Sequence, residues 1–356
     1  MITNLLLLSI GYGRMFFYHQ NLGIINHFNK QRTNEIISEF NTFINRFDRQ
    51  YRSNNEYWYR YSIFEDNYNY ITEHNQGNSR YQLGVNQFTD MRSDEYPRGY
   101  LGYPYFRNPV FYNYHTSDGY HKLNYSSIDW RADGQVTNVK NQADCGSCWA
   151  FSAVATIEGA HKRTTSHLVS LSEQDLVDCV PDCYGCGGGW PYLAIEYIMN
   201  GTVHNMTTNA TLNSTNFTHG IDTELSYPYT AIGNNCNFSN SSSAVGSRVH
   251  NLTLIPRNDT QSLIDAVLRV GPISVAINAG GDFQMYSSGI YSPEDCDPTQ
   301  LDHAVTVVGF GQNEKGERYF IVKNSWDTTW GMDGYIYMSA DTPNLCGIAM
   351  DACYAS

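Results

Sequence analysis

The chain has 356 residues, a formal net charge of -13, 41% hydrophobic residues and a mean hydropathy of -0.44. The length admits two or three domains with packed cores. The acidic balance, pI about 5.2, excludes the basic footprint of a nucleic-acid binder, and no window reaches the apolar run of a membrane span. The first residues, Met1 to Gly11, are a short apolar stretch without a basic flank or a small-x-small site. They read as a signal peptide over 1–20, with a buried chain end as the alternative. Residues 28–75 are polar, rich in aromatics and free of Pro and Gly, which predicts helix. Ser53-x-x-Glu56 has the form of a capping box. From there Glu56, Arg60, Ile63, Phe64, Asn67, Ile71 and Asn75 recur at steps of three and four, on one helical stripe. Residues 76–125, with Gly84, Pro97, Pro104 and Pro109, read as loop and extended chain.

The texture changes at Asp129-Trp130. All nine cysteines follow, at 145, 148, 179, 183, 186, 236, 296, 346 and 353. An odd count leaves one thiol over if the rest pair. Cys148 opens an apolar helical stretch to about Lys162. Ser170-Leu-Ser-Glu173 reads as a second capping box, starting a short helix to about Asp178, and Trp190-Pro191 starts a third that ends near Gly201. Residues 201–219 are polar and read as an exposed insertion. Beyond 245, the runs 273–277, 304–308, 319–323 and 334–338 are β-branched and aromatic, punctuated by Gly, Pro and Asp. One helical piece, about 260–269, intervenes. The sum is an α+β chain.

The chemistry concentrates in three short runs. In Gln142-Ala-Asp-Cys-Gly-Ser-Cys148-Trp, a cysteine stands at a helix N-terminus, where the dipole and uncapped N–H groups favour the thiolate. His303, in Asp-His303-Ala-Val at the entrance of an apolar strand, is a base for that thiol and an acid for a leaving amine. Asn324, in Lys-Asn324-Ser-Trp326, follows another strand. Its amide can fix the ring, with Trp326 shielding the bond from water. Gln142 can join the Cys148 N–H in an oxyanion hole.

These runs, in this order, resemble the papain/cathepsin family of cysteine proteases. Asp129-Trp-Arg131, Leu171-Ser-Glu-Gln174, Gly185-Cys-Gly-Gly-Gly189 and Trp326-x3-Trp330-Gly extend the resemblance to the C-terminus. The helical stripe resembles the ERFNIN motif of cathepsin L-type propeptides, and Gly84-x-Asn86-x-Phe88-x-Asp90 resembles their GNFD motif. The resemblance implies a papain-like two-domain fold, with a helical part at about 140–235 and an antiparallel, barrel-like β part at about 236–345. It places the peptidase at 124–355 behind an inhibitory prodomain at 28–122, cut at about 118–126. Acid would loosen that block by protonating carboxylates such as Glu56 and Asp90.

The resemblance also implies the disulfides Cys145–Cys186, Cys179–Cys236 and Cys296–Cys346. Cys183 and Cys353 are extra, paired with each other or left as thiols. For substrate it implies Gly188 and Gly189 as backbone partners, Trp326 beside the site, and an S2 pocket of Trp190, Pro191, Ala276, Ala304 and Asp351. Asp351 at the pocket floor predicts acceptance of P2 Arg beside Leu, Phe or Val; an Asp turned to solvent is the plainer alternative. Ala143-Asp144 and Asp327 depart from the small residues usual in the family. No occluding loop with histidines is present, so the expectation is an endopeptidase.

No cofactor and no metal are expected. The expected partners are protein and peptide substrates, the chain's own prodomain and cystatin-type inhibitors, acting on a monomer. Ten Asn-x-Ser/Thr sequons, nine of them between Asn200 and Asn258, point to a glycoprotein of the secretory pathway, in a lysosome or other acidic vesicle or outside the cell. Three rival readings fit the residues less well. Cys145-Gly-Ser-Cys148 is a CxxC, but no βαβ context makes it a redox motif. Cys183-x-x-Cys186 is a second CxxC, too far from the first for a zinc ribbon. A papain-fold binding module would ordinarily lack Cys or His.

Overall fold

The computed structural model describes residues 31–96, 113–117, 127–200, 202–205, 210–213, 220–238 and 249–356. The expected leader, the cut region 118–126, Pro97, Pro104 and Pro109, and the sequons at Asn124, Asn209, Asn216 and Asn240 lie outside the described residues. The chain divides into two compact units. One runs through Glu73 and includes Thr89–Met91; the other comprises His74–Phe88 and Arg92–Ser356. No described helix is long and apolar enough to cross a membrane.

In the first unit the single helix expected over 28–75 is two, α1 (residues 31–46) and α2 (Asn54–Gln76). The break has a local cause. Asp48 turns left-handed, φ 49°, which a short polar side chain tolerates. Ser53 Oγ then accepts the Glu56 N–H at 3.2 Å and opens α2. The Glu56 carboxylate takes the N–H of Arg52, so the box is only half made. Phe40 and Phe43 of α1 each lie 5.1 Å, ring to ring, from Phe64 of α2. Burying rings of this size is worth roughly 1.5–3 kcal/mol each.

The polar members of the α2 stripe hold the 89–91 segment. Arg60 donates to the Asp90 carbonyl (3.0 Å), and Asn67 Nδ2 to the carbonyls of Thr89 (2.9 Å) and Met91 (3.2 Å). The Asp90 carboxylate takes the Tyr51 hydroxyl at 2.8 Å and faces Arg49 at 3.2 Å. Burial pushes this carboxyl above its ordinary range, and Arg49, Tyr51 and Arg60 offset that only in part. The sign overturns the expectation for Asp90. A raised folded-state pKa gives stability that is present in acid and lost as pH rises through it, so protonating Asp90 does not loosen the prodomain.

In chain order the second unit contains β1 (Tyr81–Leu83), β2 (Asn113–Tyr114), β3 (Ile128–Asp129), α3 (Cys148–Thr165), α4 (Glu173–Cys179), α5 (Pro191–Asn200), β4 (Thr202–Asn205), β5 (Ala210–Asn213), β6 (Leu252–Leu254), α6 (Thr260–Arg269), β7 (Ile273–Ile277), β8 (Tyr286–Tyr291), β9 (His303–Gln312), β10 (Arg318–Lys323), β11 (Tyr335–Ser339) and β12 (Ala352–Ala355). Ten of these strands form one sheet in the order β1-β8-β11-β10-β9-β7-β12-β6-β2, with β3 on β9. All pairs are antiparallel except β11–β8 and β2–β6. The fold is α+β. Both α3 and α6 pack on β9, so this strand is buried through Gly311 and reads as a continuous apolar run instead of an alternation.

One local expectation changes and one segment gains detail. The α4 cap is Ser172, whose Oγ accepts the Asp175 N–H at 3.0 Å; Glu173 is buried, so it serves the interior instead of a box with Ser170. The 201–219 insertion contains the β4–β5 hairpin, with Thr202 opposite Asn213 and Asn205 opposite Ala210. Three disulfides are present, Cys145–Cys186, Cys179–Cys236 and Cys296–Cys346. Cys183 and Cys353 are free thiols.

Candidate active site

The site is built where α3 begins against the start of β9. Cys148 is the first residue of α3. The first N–H groups of a helix have no acceptor within it, and a side-chain cap usually supplies one. Here that cap is missing, because Ser147 gives no side-chain bond to the helix and pairs its Oγ with the Tyr229 hydroxyl at 2.6 Å. A helix N-terminus without a side-chain cap favours an incoming anion. One turn on, Ser152 Oγ donates to the Val305 carbonyl at 2.6 Å and lies 2.7 Å from Ser274 Oγ. That bond fixes α3 against β9 and β7. As a result the Ala304 N–H, on the second residue of β9, points at Cys148 Sγ from 3.3 Å.

His303, the residue before Ala304, is fully buried. Its Nε2 lies 2.8 Å from Asn324 Oδ1. An amide oxygen only accepts, so this nitrogen carries the proton. The Ser325 N–H donates to the same Oδ1 at 2.8 Å, which fixes the amide's orientation. The ring is stacked on Trp326 at 4.7 Å and 24°. Trp326 is 1% exposed and is itself wedged by Phe283 (5.5 Å) and Trp330 (5.4 Å). The imidazole is thus held on one edge and one face.

Gln142 is also fully buried. Its Nε2 donates to the Cys145 carbonyl at 2.9 Å, and its Oε1 accepts from Ser325 Oγ at 2.6 Å. One of its two amide hydrogens is spent in this way, and the other remains for a ligand. Beneath, Lys140 donates to Glu173 (2.7 Å) and to the Leu171 carbonyl (2.8 Å), and stands 3.4 Å from Glu158 of α3. Glu158 also accepts from Thr137 at 2.6 Å. This network ties the segment carrying Gln142 to the helix carrying Cys148. Burial raises the Glu173 carboxyl despite Lys140, and it raises Asp175 to about 7, against the bond from the Asp222 N–H.

The expected substrate residues divide. Ala276 and Ala304 lie with Cys148 and Leu301 in one buried cluster, and Met350 packs against it. Asp351, one residue on, faces a recess lined by Tyr114, Leu254, Ile255, Arg257, Met350 and Ala352. Burial pushes its carboxyl up to about 6, opposed by Arg257. Trp190 and Pro191 stand at the start of α5, Trp190 on the helical core. Gly188 uses its N–H on Gly185 (3.3 Å) and its carbonyl on the Tyr184 N–H (2.7 Å). Gly189 has no room for a side chain: a Cβ would stand 2.7 Å from Cys183 Sγ and from the Trp149 ring. Reading the sequence missed Ser147, Tyr229, Ser325, Met350 and Arg257. Ser325 and Met350 each adjoin a residue it did single out; Arg257 has no sequence signal.

Part of the second unit covers this region. His74–Phe88 continues from α2 into β1, which pairs with β8, Tyr81 opposite Gly289. Gly84 packs so close that a Cβ would meet that of Ser287 at 2.9 Å. Gln87 Nε2 donates to the Trp326 carbonyl at 2.6 Å, and the Phe88 ring lies 5.1 Å from the Trp326 ring. The residue that covers His303 is thus itself covered.

Sequence comparison matches residues 125–356 to the papain family cysteine proteases and residues 40–96 to the cathepsin propeptide inhibitor domain (I29). The chain is 41% identical over 320 residues to digestive cysteine proteinase 1 of Homarus americanus, covering 88% of this chain and 92% of that protein. It is 39% identical to cathepsin L1 of Drosophila melanogaster, over 90% and 85% of the two chains. Among solved structures, digestive procathepsin L 3 from the larval midgut of Tenebrio molitor superposes with a TM-score of 0.77 at 34% identity, over 90% of this chain and 99% of that one.

Proposed function

The chain belongs to the papain family of cysteine proteases and is a cysteine endopeptidase made as a zymogen, and on that premise we propose which residues act. Cys148 is the nucleophile, His303 the acid and base, Asn324 the residue that orients the ring, and Gln142 the side-chain oxyanion donor. The observation that carries this assignment is the seam itself, with the Ala304 N–H on Cys148 Sγ and His303 held by Asn324 one residue before. With Nε2 committed to Asn324, Nδ1 is the nitrogen that exchanges a proton with the thiol. The thiolate attacks the scissile carbonyl carbon, and the oxygen takes the negative charge under the Cys148 N–H and the second Gln142 N–H. The amide C–N bond breaks as His303 gives its proton to the leaving amine. Water, losing a proton to His303, then cleaves the thioester and restores the thiol.

The boundaries follow the sequence reading, with a leader at 1–20, the prodomain at 28–122 and the peptidase at 124–355. The enzyme acts as a monomer in an acidic vesicle or outside the cell, on protein and peptide substrates, and cystatin-type inhibitors block the cleft. Gly189, whose partner Gly188 is engaged internally, offers its backbone to an extended substrate. Ala276, Ala304, Trp190 and Pro191 form an apolar P2 slot, to which Met350 is added. Asp351 admits P2 Arg once ionised, and Arg257 favours that ionisation.

The test is a panel of peptidyl amides with P2 Leu or Arg, run on the processed enzyme near pH 5 and pH 7. The P2 Arg/Leu ratio of kcat/KM should rise several-fold with pH. Asp351→Ala should remove the rise, and Arg257→Gln should move the rise to higher pH, because Arg257 favours the ionised Asp351. A ratio untouched by Asp351→Ala ends the specificity reading. Hydrolysis retained by His303→Ala ends the assignment of the dyad.

A further inference from the structure

Residues 113–117 grip the sheet at the edge opposite β1. Asn113 and Tyr114 pair in parallel with Thr253 and Leu254, and the His115 N–H donates to the Leu254 carbonyl at 2.8 Å. The His115 ring is met on both nitrogens. Nε2 lies 2.9 Å from Asp265 Oδ2 and Nδ1 3.2 Å from the Tyr354 hydroxyl. The Ser117 N–H donates to Ser262 Oγ at 2.9 Å. Tyr114 lines the recess that holds Arg257 and Asp351.

The receiving groups come from three elements, β6, α6 and β12, and each is braced by the peptidase itself. Asp265 Oδ1 is held by Arg269 at 2.8 Å, Ser262 Oγ by Asp259 at 2.6 Å, and β6 is paired along its length with β12. The site is therefore built independently of the segment that fills it. None of these residues belongs to the cluster around Cys148.

We infer that the edge of β6, with Asp265 and Tyr354, is a docking site for an extended peptide carrying a histidine. Its occupant in the processed enzyme is the severed 113–117 segment, bound in trans. An open strand edge supplies backbone bonds that give affinity, and a side-chain pocket gives selectivity. An imidazole suits this pocket because the carboxylate takes the proton of one ring nitrogen, while a phenol can serve the other as donor or acceptor. Five residues with one side-chain anchor give weak binding, a Kd on the order of 10–100 μM. The inference rests on the chain being cut beyond Ser117, as proposed above.

The test uses the acid-processed enzyme with Cys148 alkylated, so that the cleft is closed, and with its new N-terminus sequenced. A fluorescein-labelled peptide of residues 111–118 is titrated by anisotropy. It should bind saturably, His115→Ala in the peptide should weaken binding at least tenfold, and Tyr354→Phe in the enzyme should weaken it a few-fold. The peptide change leaves the enzyme's folding untouched. A processed enzyme that begins beyond Ser117 and binds both peptides alike, or neither, overturns the site and leaves the processing reading standing. An enzyme that retains 113–117 never vacates the site, and the inference then falls together with the cut position.

Discussion

Three cysteines of the second unit stand outside the disulfides, and their surroundings differ. Cys148 stands at an uncapped helix N-terminus beside the strand that carries His303, with a backbone N–H aimed at its sulfur. Cys353 is sealed in β12 between β6 and β7, and burial raises its thiol well above the ordinary value, with Asp351 adding to the rise. Cys183 fills the space left by the missing side chain of Gly189, and burial pushes it up to about 12. A helix N-terminus favours an anion, whereas an apolar wall forbids one. Environment, not residue type, singles out Cys148 as the proposed nucleophile.

The comparison breaks most sharply on substitution. Cys148→Ser should lower kcat/KM by about 10⁴-fold or more, while Cys353→Ser should leave it within about twofold and lower only the melting temperature, since the loss there is packing. Equal losses would erase the distinction. Gln142→Ala removes one oxyanion donor and should cost about 10²–10³-fold in kcat with little change in KM. Asn324→Ala should cost about 10- to 100-fold, less than a full misplacement, because Trp326 still holds the ring by its face. A kcat unchanged in Asn324→Ala would mean that stacking alone orients His303.

The residues proposed for these roles could be singled out in sequence because each sits in a short run whose neighbours lie at the same site. The Gln142–Cys148 run contains the donor, the disulfide and the helix start; Asn324-Ser-Trp326 contains the amide, the group that fixes it and the shield. Of the strands, β7, β9, β10 and β11 were legible, β7 and β9 for the reason given above, that burial on both faces makes an unbroken apolar run, whereas β6 and β8 were not. Contacts that depend on chain folding back were not. The break at Asp48, the cap at Ser172, the approach of Arg257 to the Asp351 recess and the short β12, with only four residues, have no periodic signature. The expectation for Asp90 failed for the same reason, since the sign of its shift depends on how deeply Arg49, Tyr51 and α2 bury it.

Buried carboxyls sharpen the same contrast through pH. Asp175, at about 7, lies above its unfolded value, so its contribution to stability is full below the ordinary carboxylate range and is lost as pH rises through 7; raised Glu173 acts in the same direction. The processed enzyme should therefore melt several degrees lower at pH 8 than at pH 5, and Asp175→Asn should flatten that slope. A melting temperature that rises over this range contradicts the assignment. On the prodomain side, Arg80 just before β1 holds Glu317 at 2.9 Å and Asp341 at 3.7 Å. Burial pushes Asp341 up, but Arg318 and Arg80 outweigh it and keep it below the ordinary range. Its contribution is lost as pH falls through that lowered value, and Asp341→Asn should move processing to higher pH. The smallest effect is at Ala143, which takes a left-handed turn, φ 50°, where glycine is at ease. Ala143→Gly should change stability by less than about 1 kcal/mol, in the stabilising direction.

The most direct test of the account is alkylation of the full chain by an epoxysuccinyl inhibitor, at neutral pH and again after exposure to about pH 4–5, where carboxylates begin to protonate, with intact and peptide masses read in both states. The account predicts label on Cys148 alone, appearing only after acid and together with loss of a fragment that ends near residues 118–126, with Cys183 and Cys353 unlabelled throughout. Label on Cys353 or Cys183, or an unreactive Cys148 once the fragment is gone, would contradict it.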